Sequence, residues 1–328
     1  MSAGKQISRR SFLTGALAFA ALTAAAGCSK EESAVKIGTM PTEDMLPFWI
    51  AEQEGLFDAN GVKAEVVVFD SAQNLSAAIT AKEVDLAMTD IMRTVKLNES
   101  GTQLSMEWIT LGTTAEQGRF GVITAADSGY KTLKSLLDAK QGVGLADNTV
   151  PEYVFDKLCE QAGVDASKIK VSQVAALPER YSLVAAGTLD AAAVPGSLLA
   201  LAEASGLTVI ADDTTGDNIS QSVMVARSEF AQSHGTEIEN LRKTWDAAVE
   251  KVNADPESYR SLLVEKANLG TQIADSYPIS SYPLSLDGGS AAYPSSDLVE
   301  PVLSWMQGKG YSEKQVGYDP SNGSFTVA

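Results

Sequence analysis

Histidine and cysteine are nearly missing from this sequence: one histidine, His234, and two cysteines, Cys28 and Cys159, in 328 residues. A chain so poor in both cannot assemble a His/Cys zinc site or a disulfide-stapled scaffold. No EF-hand spacing points to a carboxylate calcium site either, so no metal and no cofactor is expected. Positive charge is also scarce. Lys and Arg total 25 against 42 Asp and Glu, a net charge of -17, which leaves no phosphate-neutralising surface and removes nucleic acid from the candidate partners. With 45% hydrophobic, 20% charged and 7% aromatic residues, the chain can bury two sizeable cores and is neither disordered nor a multi-span membrane protein.

Long apolar runs are absent except at the N-terminus. There Lys5, Arg9 and Arg10 precede an uncharged stretch from Ser11 to Gly27, whose apolar core of about fifteen residues falls short of the roughly 20 a membrane span needs. Its layout is that of an export signal. Ser8-Arg9-Arg10-Ser11-Phe12-Leu13 resembles the twin-arginine export motif, and Ala25-Ala26-Gly27-Cys28 resembles a lipobox, departing from it at Ala25, where leucine is usual. The resemblance implies a signal peptide over 1–27, lipid acylation of Cys28 and a polar tether over 28–34. Removal of 1–27 takes away three positive charges and no acid, leaving 301 residues with a net charge of -20. Such a surface repels anionic headgroups, so membrane attachment at the extracytoplasmic face would rest on the lipid. Cys159, at helical spacing with apolar neighbours, is expected in the core.

From Val35 onward short apolar runs alternate with amphipathic helical stretches, the pattern of parallel sheets with helices on their faces. Strands are expected near 35–39, 62–69, 84–88 and 105–112, with helices near 46–55, 72–82 and 91–99. A second set places strands near 120–125, 141–145, 168–173, 189–193 and 207–210, with helices near 131–138, 151–162, 178–186 and 196–205. Beyond about 222 the pattern reads mostly helical, including 236–253, 256–268 and 296–309. An internal repeat at an offset of 105 aligns Ala77–Met88 with Ser182–Ala193, each reading as helix end, tight turn, aspartate and strand. Gly187 suits the left-handed close of a helix, and Asp85 and Asp190 suit the turn that launches a strand. Two copies would give two α/β lobes, and open α/β sheets bind ligands at the carboxyl ends of their strands.

Val35-Lys36-Ile37-Gly38-Thr39, the loop to Met45, the helix containing Pro47-Phe48-Trp49-Ile50-Ala51 and Gly55-Leu56-Phe57, and then Gly61-Val62 form a familiar opening. It resembles that of bacterial ABC-transporter solute-binding proteins of the nitrate, sulfonate and thiamine-precursor (SsuA-like) family, over about residues 35–226. The resemblance implies the two-lobed periplasmic binding protein fold (type 2), α/β, with two hinge crossings near 113–120 and 212–222 and a ligand cleft between lobes. Lobe 1 would take 35–115 and 216–328, and lobe 2 would take 116–215. The implied role is non-enzymatic capture of a small organic solute by a lipid-anchored monomer, which hands it to an ABC permease and ATPase.

Candidate cleft residues follow from the strand-end loops. Thr42, Glu43, Asp44 and Met45 stand between a strand and a helix N-terminus, where they either meet a ligand or cap the helix. Ser71, beside Asp70 and Gln73, reads as an N-cap at the cleft edge. Thr89 and Asp90 follow the third strand directly. In the second set Asn148 and Thr149 lead into a helix whose Pro151 belongs in its first turn, and Pro195 occupies the position equivalent to Thr89-Asp90. Phe48 and Trp49 read as core. Arg119 and Arg180 are either interlobe or surface ion pairs or the guanidinium that an anion would want. The first-lobe loops offer Glu43, Asp44, Asp70 and Asp90 and no Lys or Arg. This favours a guest with N–H donors, such as an aminopyrimidine thiamine precursor, over nitrate, with a sulfonate or similar small organic solute kept among the candidates. An enzyme on the same fold acting on a pyrimidine-like substrate, or a lipid-anchored sensor, is the alternative. His234 reads as a helix-end residue, and no nucleophile elbow or phosphate loop accompanies it.

Overall fold

The computed structural model describes residues 34–216 and 218–328, so the expected signal peptide, Cys28 and the tether as far as residue 33 lie outside the described residues. Among the described residues no helix is long and apolar enough to cross a membrane. The chain first lays down Val35–Thr39 (β1), Ala64–Val68 (β2), Leu86–Asp90 (β3) and Leu104–Leu111 (β4). It then crosses to a second sheet made of Phe120–Thr124 (β5), Val143–Leu145 (β6), Val171–Gln173 (β7), Ala191–Pro195 (β8) and Thr208–Asp212 (β9). A second crossing returns it to the first sheet as Ser222–Arg227 (β10). The two sheets have matching orders, β2-β1-β3-β10-β4 and β7-β6-β8-β5-β9.

In both sheets the first three strands are parallel and the next two pairings antiparallel, because β10 and β5 each enter from the far side of a crossing. The sheets are therefore mixed, not parallel as the sequence suggests. β10 is the main departure from expectation: a stretch read as the start of a helical region is an interior strand between β3 and β4. Val223, Met224, Val225 and Ala226 are all buried, so the strand is covered on both faces and shows no polar alternation to betray its period.

Helices cover the sheets: Leu46–Glu54 (α1), Leu56–Ala59 (α2), Ala72–Thr80 (α3) and Ile91–Glu99 (α4) among the strands of the first, then Val150–Gln161 (α5), Leu177–Ala185 (α6) and Gly196–Ala204 (α7) among those of the second. The expected helix near 131–138 is a 3-10 segment, Leu133–Asp138, closed at its start by reciprocal bonds between Thr132 and Ser135. After β10 come Ser228–Ser233 (α8), Gly235–Ala254 (α9), Arg260–Lys266 (α10) and Ser296–Gly308 (α11). α9 packs on α1, where Phe48, Trp108 and Trp245 meet with ring centroids 5.2 to 6.1 Å apart; Phe48 and Trp49 are core residues. Cys159 is fully buried in the larger core, and burial pushes its thiol up to about 12.

The repeat seen in sequence has a three-dimensional counterpart. Asp85 Oδ2 accepts the N–H of Lys36 at 3.0 Å, and Asp190 Oδ2 accepts those of Gln141 and Gly142 at 2.6 and 3.0 Å. The turns before β3 and β8 each hold one left-handed residue, Lys82 at φ 60° and Gly187 at φ 67°. Each of these pairs keeps the same sequence offset, and each joins a helix end to the strand that carries the cleft residues at its tip.

Candidate functional site

Residues that follow the carboxyl ends of β1, β3, β6 and β8 line one cavity of about 280 Å³, together with residues from both crossings. At β3 and β8 the strand passes into a helix with no intervening loop, which puts the N-caps Asp90 and Pro195 at the rim. Asp90 Oδ1 accepts the N–H of Arg93 at 2.7 Å, and burial raises its carboxyl above the ordinary range. Asp44 is held by a hydroxyl relay: Thr110 Oγ1 donates to Ser222 Oγ at 2.9 Å, which donates to Asp44 Oδ1 at 3.0 Å. Burial raises Asp44 as well, with the Ser222 bond opposing.

Opposite, Asn148 takes a left-handed backbone (φ 55°), and its N–H donates to Glu152 Oε2 at 2.7 Å. Thr149 caps α5 without a side-chain bond to the helix, since its hydroxyl donates to the Ala146 carbonyl at 2.6 Å. Among the described residues, two buried oxygens at this cavity meet no partner in hydrogen-bond geometry: Thr42 Oγ1 on the β1 side, close enough to Asp44 to help hold its carboxyl down, and Asn148 Oδ1 on the β6 side. Among the described residues the other unpartnered buried side-chain groups are the indole N–H of Trp49 and of Trp108, in the aromatic core. Native structures leave few buried polar groups unpaired, so these two oxygens are unfilled hydrogen-bonding positions at the cavity.

Of the residues singled out in the sequence, Thr42, Asp44, Thr89, Asp90, Asn148, Thr149 and Pro195 line this cavity. Four lie elsewhere. Met45 is fully buried in the core beneath α1. Ser71 is the N-cap of α3, accepting the N–H of Asn74. Glu43 turns to a neighbouring cavity with Gly196 and Tyr277, where burial and the adjacent Asp44 push its carboxyl up to about 8. Arg119 is engaged by Asp212 and Glu203 at 2.6 and 3.0 Å, outside this cavity. Arg180 is outside the cavity lining and has no acidic partner among the described residues: 1% exposed, it donates to the carbonyls of Val174 and Ala193, and burial pushes it down to about 10. His234 stacks on Phe230 at the junction of α8 and α9.

The first-lobe loops carry no Lys or Arg, as expected from the sequence, but the cavity has cations that this expectation did not cover. Arg93 and Lys96 line it from one face of α4, three residues apart, a placement hidden when only strand-end loops are inspected. Lys96 is paired with Glu99 at 2.8 Å, whereas among the described residues no hydrogen bond or ion pair engages the Arg93 guanidinium. Much of the wall is apolar, including Met40, Met88, Met92, Leu111, Phe120 and Leu177. Of these, none carries a sequence signal beyond core-like hydrophobicity. Gln117 and Ser220 to Ser222 could have been found, since they sit on the expected crossings. Among the described residues no cluster of His, Cys, Asp and Glu could hold a metal ion.

Comparison with known proteins supplies a family. The model of the NMT1-like family matches residues 29–264. No curated protein matches. Among solved structures, the periplasmic aliphatic sulphonate binding protein SsuA from Escherichia coli is similar with a TM-score of 0.73 at 17% identity, over 90% of this chain and 92% of that one. The alkanesulfonate-binding protein SsuA from Xanthomonas axonopodis pv. citri, bound to MOPS, gives 0.66 at 14% identity over 84% and 93%. A ligand-binding component of an ABC-type import system from Staphylococcus aureus gives 0.64 at 15% over 86% and 93%. At these identities the likeness establishes the fold, the two-lobed α/β architecture of periplasmic binding proteins.

Proposed function

The chain belongs to the NMT1-like family, and from that premise we propose that it is the solute-capturing subunit of an ABC importer at the extracytoplasmic face of the membrane. The single observation that carries the reading is the pair of unpartnered oxygens, Thr42 Oγ1 and Asn148 Oδ1, on opposite walls of one cavity between two sheets. Two hinged lobes, 35–115 with 216–328 and 116–215, would close on the solute, exclude water and present the closed form to a permease and its ATPase. A lipid on Cys28 would hold the monomer to the membrane. No bond is made or broken in this role.

Asn148 Oδ1 and the carboxylates of Asp44 and Asp90 share a largely apolar cavity with Arg93, whose guanidinium has no partner among the described residues. That balance supports a compact guest with an apolar body and N–H donors, of the aminopyrimidine type. A sulfonate would instead need Arg93 and the uncapped N-terminus of α5 to offset two buried carboxylates. A thermal-shift screen against aminopyrimidines, alkanesulfonates and nitrate tests the reading. A solute at 100 times its Kd adds about 2.7 kcal/mol of stability. Asp90→Ala should shrink the shift of whichever solute binds and His234→Ala should leave it intact; the reverse pattern, or turnover of the solute, would overturn the proposal.

A further inference from the structure

The segment that ends α11 touches both walls of the cavity. Tyr311 is its centre: its carbonyl accepts Lys96 Nζ from α4 at 2.9 Å, and its hydroxyl lies 2.8 and 3.0 Å from the two carboxylate oxygens of Glu152 on α5. Glu152 is only 5% exposed, and its Oε2 is the acceptor for the Asn148 N–H. Lys309 bridges Glu152 and Asp156 at 3.1 and 2.7 Å, while Trp305 Nε1 donates to Asp156 at 2.9 Å and its ring meets Tyr153 and Tyr311 edge-on. Toward the first sheet, Glu99 accepts Ser312 Oγ and the N–H of Lys314, and Lys314 Nζ donates to the Glu99 carbonyl at 2.7 Å.

α4 rises from β3 of the first sheet and α5 from β6 of the second, so residues 305–314 join across the cleft two sides that are also joined by two stretches of main chain and by the approach of Gly196 and Ala200 to Tyr277. We propose that this segment is a latch holding the cleft shut, and that Tyr311 is a positioning residue which, through Glu152, fixes the left-handed backbone of Asn148 so that its free oxygen meets the guest. Tyr311 does not itself line the cavity. It acts on one wall through its hydroxyl and on the other through its carbonyl: Lys96, its direct partner on one side, and Asn148, held by Glu152 on the other, both line the cavity. The latch deepens the receptor reading and rests on it for the meaning of closure.

Tyr311→Phe in the full chain tests it, because the ring stays against Trp305 and only the hydroxyl is lost. Two readouts need no added solute: hydrogen exchange at the Asn148 amide, and the radius of gyration from small-angle scattering. Loss of the charge-assisted bond to Glu152 should speed exchange at Asn148 by about tenfold, leave Ile37 in β1 protected, and enlarge the radius of gyration. Wild-type exchange at Asn148 would overturn the positioning role, and unchanged scattering would overturn the latch. If lost protection at Ile37 reveals unfolding, Lys309→Met carries the same test under the same criteria. A failed solute screen leaves the latch standing, and a failed latch leaves the screen standing.

Discussion

Asn148 carries two costs at one position. Its left-handed backbone costs about 1 kcal/mol for a residue with a Cβ, and its amide oxygen is buried without a donor. Glycine removes the first and deletes the second. Asn148→Gly should therefore melt at or slightly above the wild-type temperature while binding solute about tenfold more weakly; Asn148→Ala, which keeps the Cβ but loses the oxygen, should weaken binding and lower the melting temperature too. Paired melts and calorimetric titrations check this, and a glycine variant that melts well below wild type would show that the side chain serves the fold. Thr42 is the counterpart on the other wall, though its backbone is an ordinary extended one. Position in sequence marked both residues as strand-end polar groups; that their oxygens are unpaired is a property of their surroundings.

Among the elements, the helix-turn-strand unit was the most legible. Asp85 and Asp190 stand where the turn requires an acceptor; Asp85 takes the Lys36 N–H on β1 and Asp190 those of Gln141 and Gly142 just before β6. The two copies differ at one informative place, where Lys82 occupies the left-handed position that Gly187 fills without steric cost. Lys82→Gly should stabilise the fold by about 0.5–1 kcal/mol, and Gly187→Ala should destabilise it by about 1 kcal/mol. The Lys82–Glu229 ion pair that the first change removes is solvent-exposed, with little to lose. Urea titrations of both variants check the signs. β10 was illegible for the opposite reason: an interior strand buried on both faces shows no period, and its partners β3 and β4 lie more than a hundred residues earlier in the chain.

At the scale of the molecule, the two crossings are tied together by one buried acid. Asp213, 3% exposed, accepts the Phe120 N–H at 2.7 Å and the Ser220 hydroxyl at 2.6 Å, joining the start of β5 to the run into β10. Burial pushes its carboxyl up to about 6 from an ordinary 3.8. A folded-state value above the unfolded one favours the fold while the group is protonated, so this contribution is complete below pH 3.8 and fades as pH rises through 6, by about 3 kcal/mol in all. Asp213→Asn cannot ionise, and the Ser220 hydroxyl can turn to accept from the new amide. Its stability should therefore gain on wild type between pH 4 and pH 7 by an amount of that order. Denaturation at both pH values checks it, and a constant gap between the two proteins would contradict the assignment.

By itself the sequence determined the α/β class, the two sets of strands and helices, and a set of polar strand-end residues, because hydrophobic period, turn chemistry and capping are local and act within a few residues. Tertiary structure alone decided which of those residues share a cavity. Glu43 and Asp44 are adjacent yet turn to different cavities, and Arg93 and Lys96 reach the cleft from inside a helix. A binding site is a meeting of segments distant along the chain, and which side chains meet there depends on how sheets and helices pack, which no local pattern encodes.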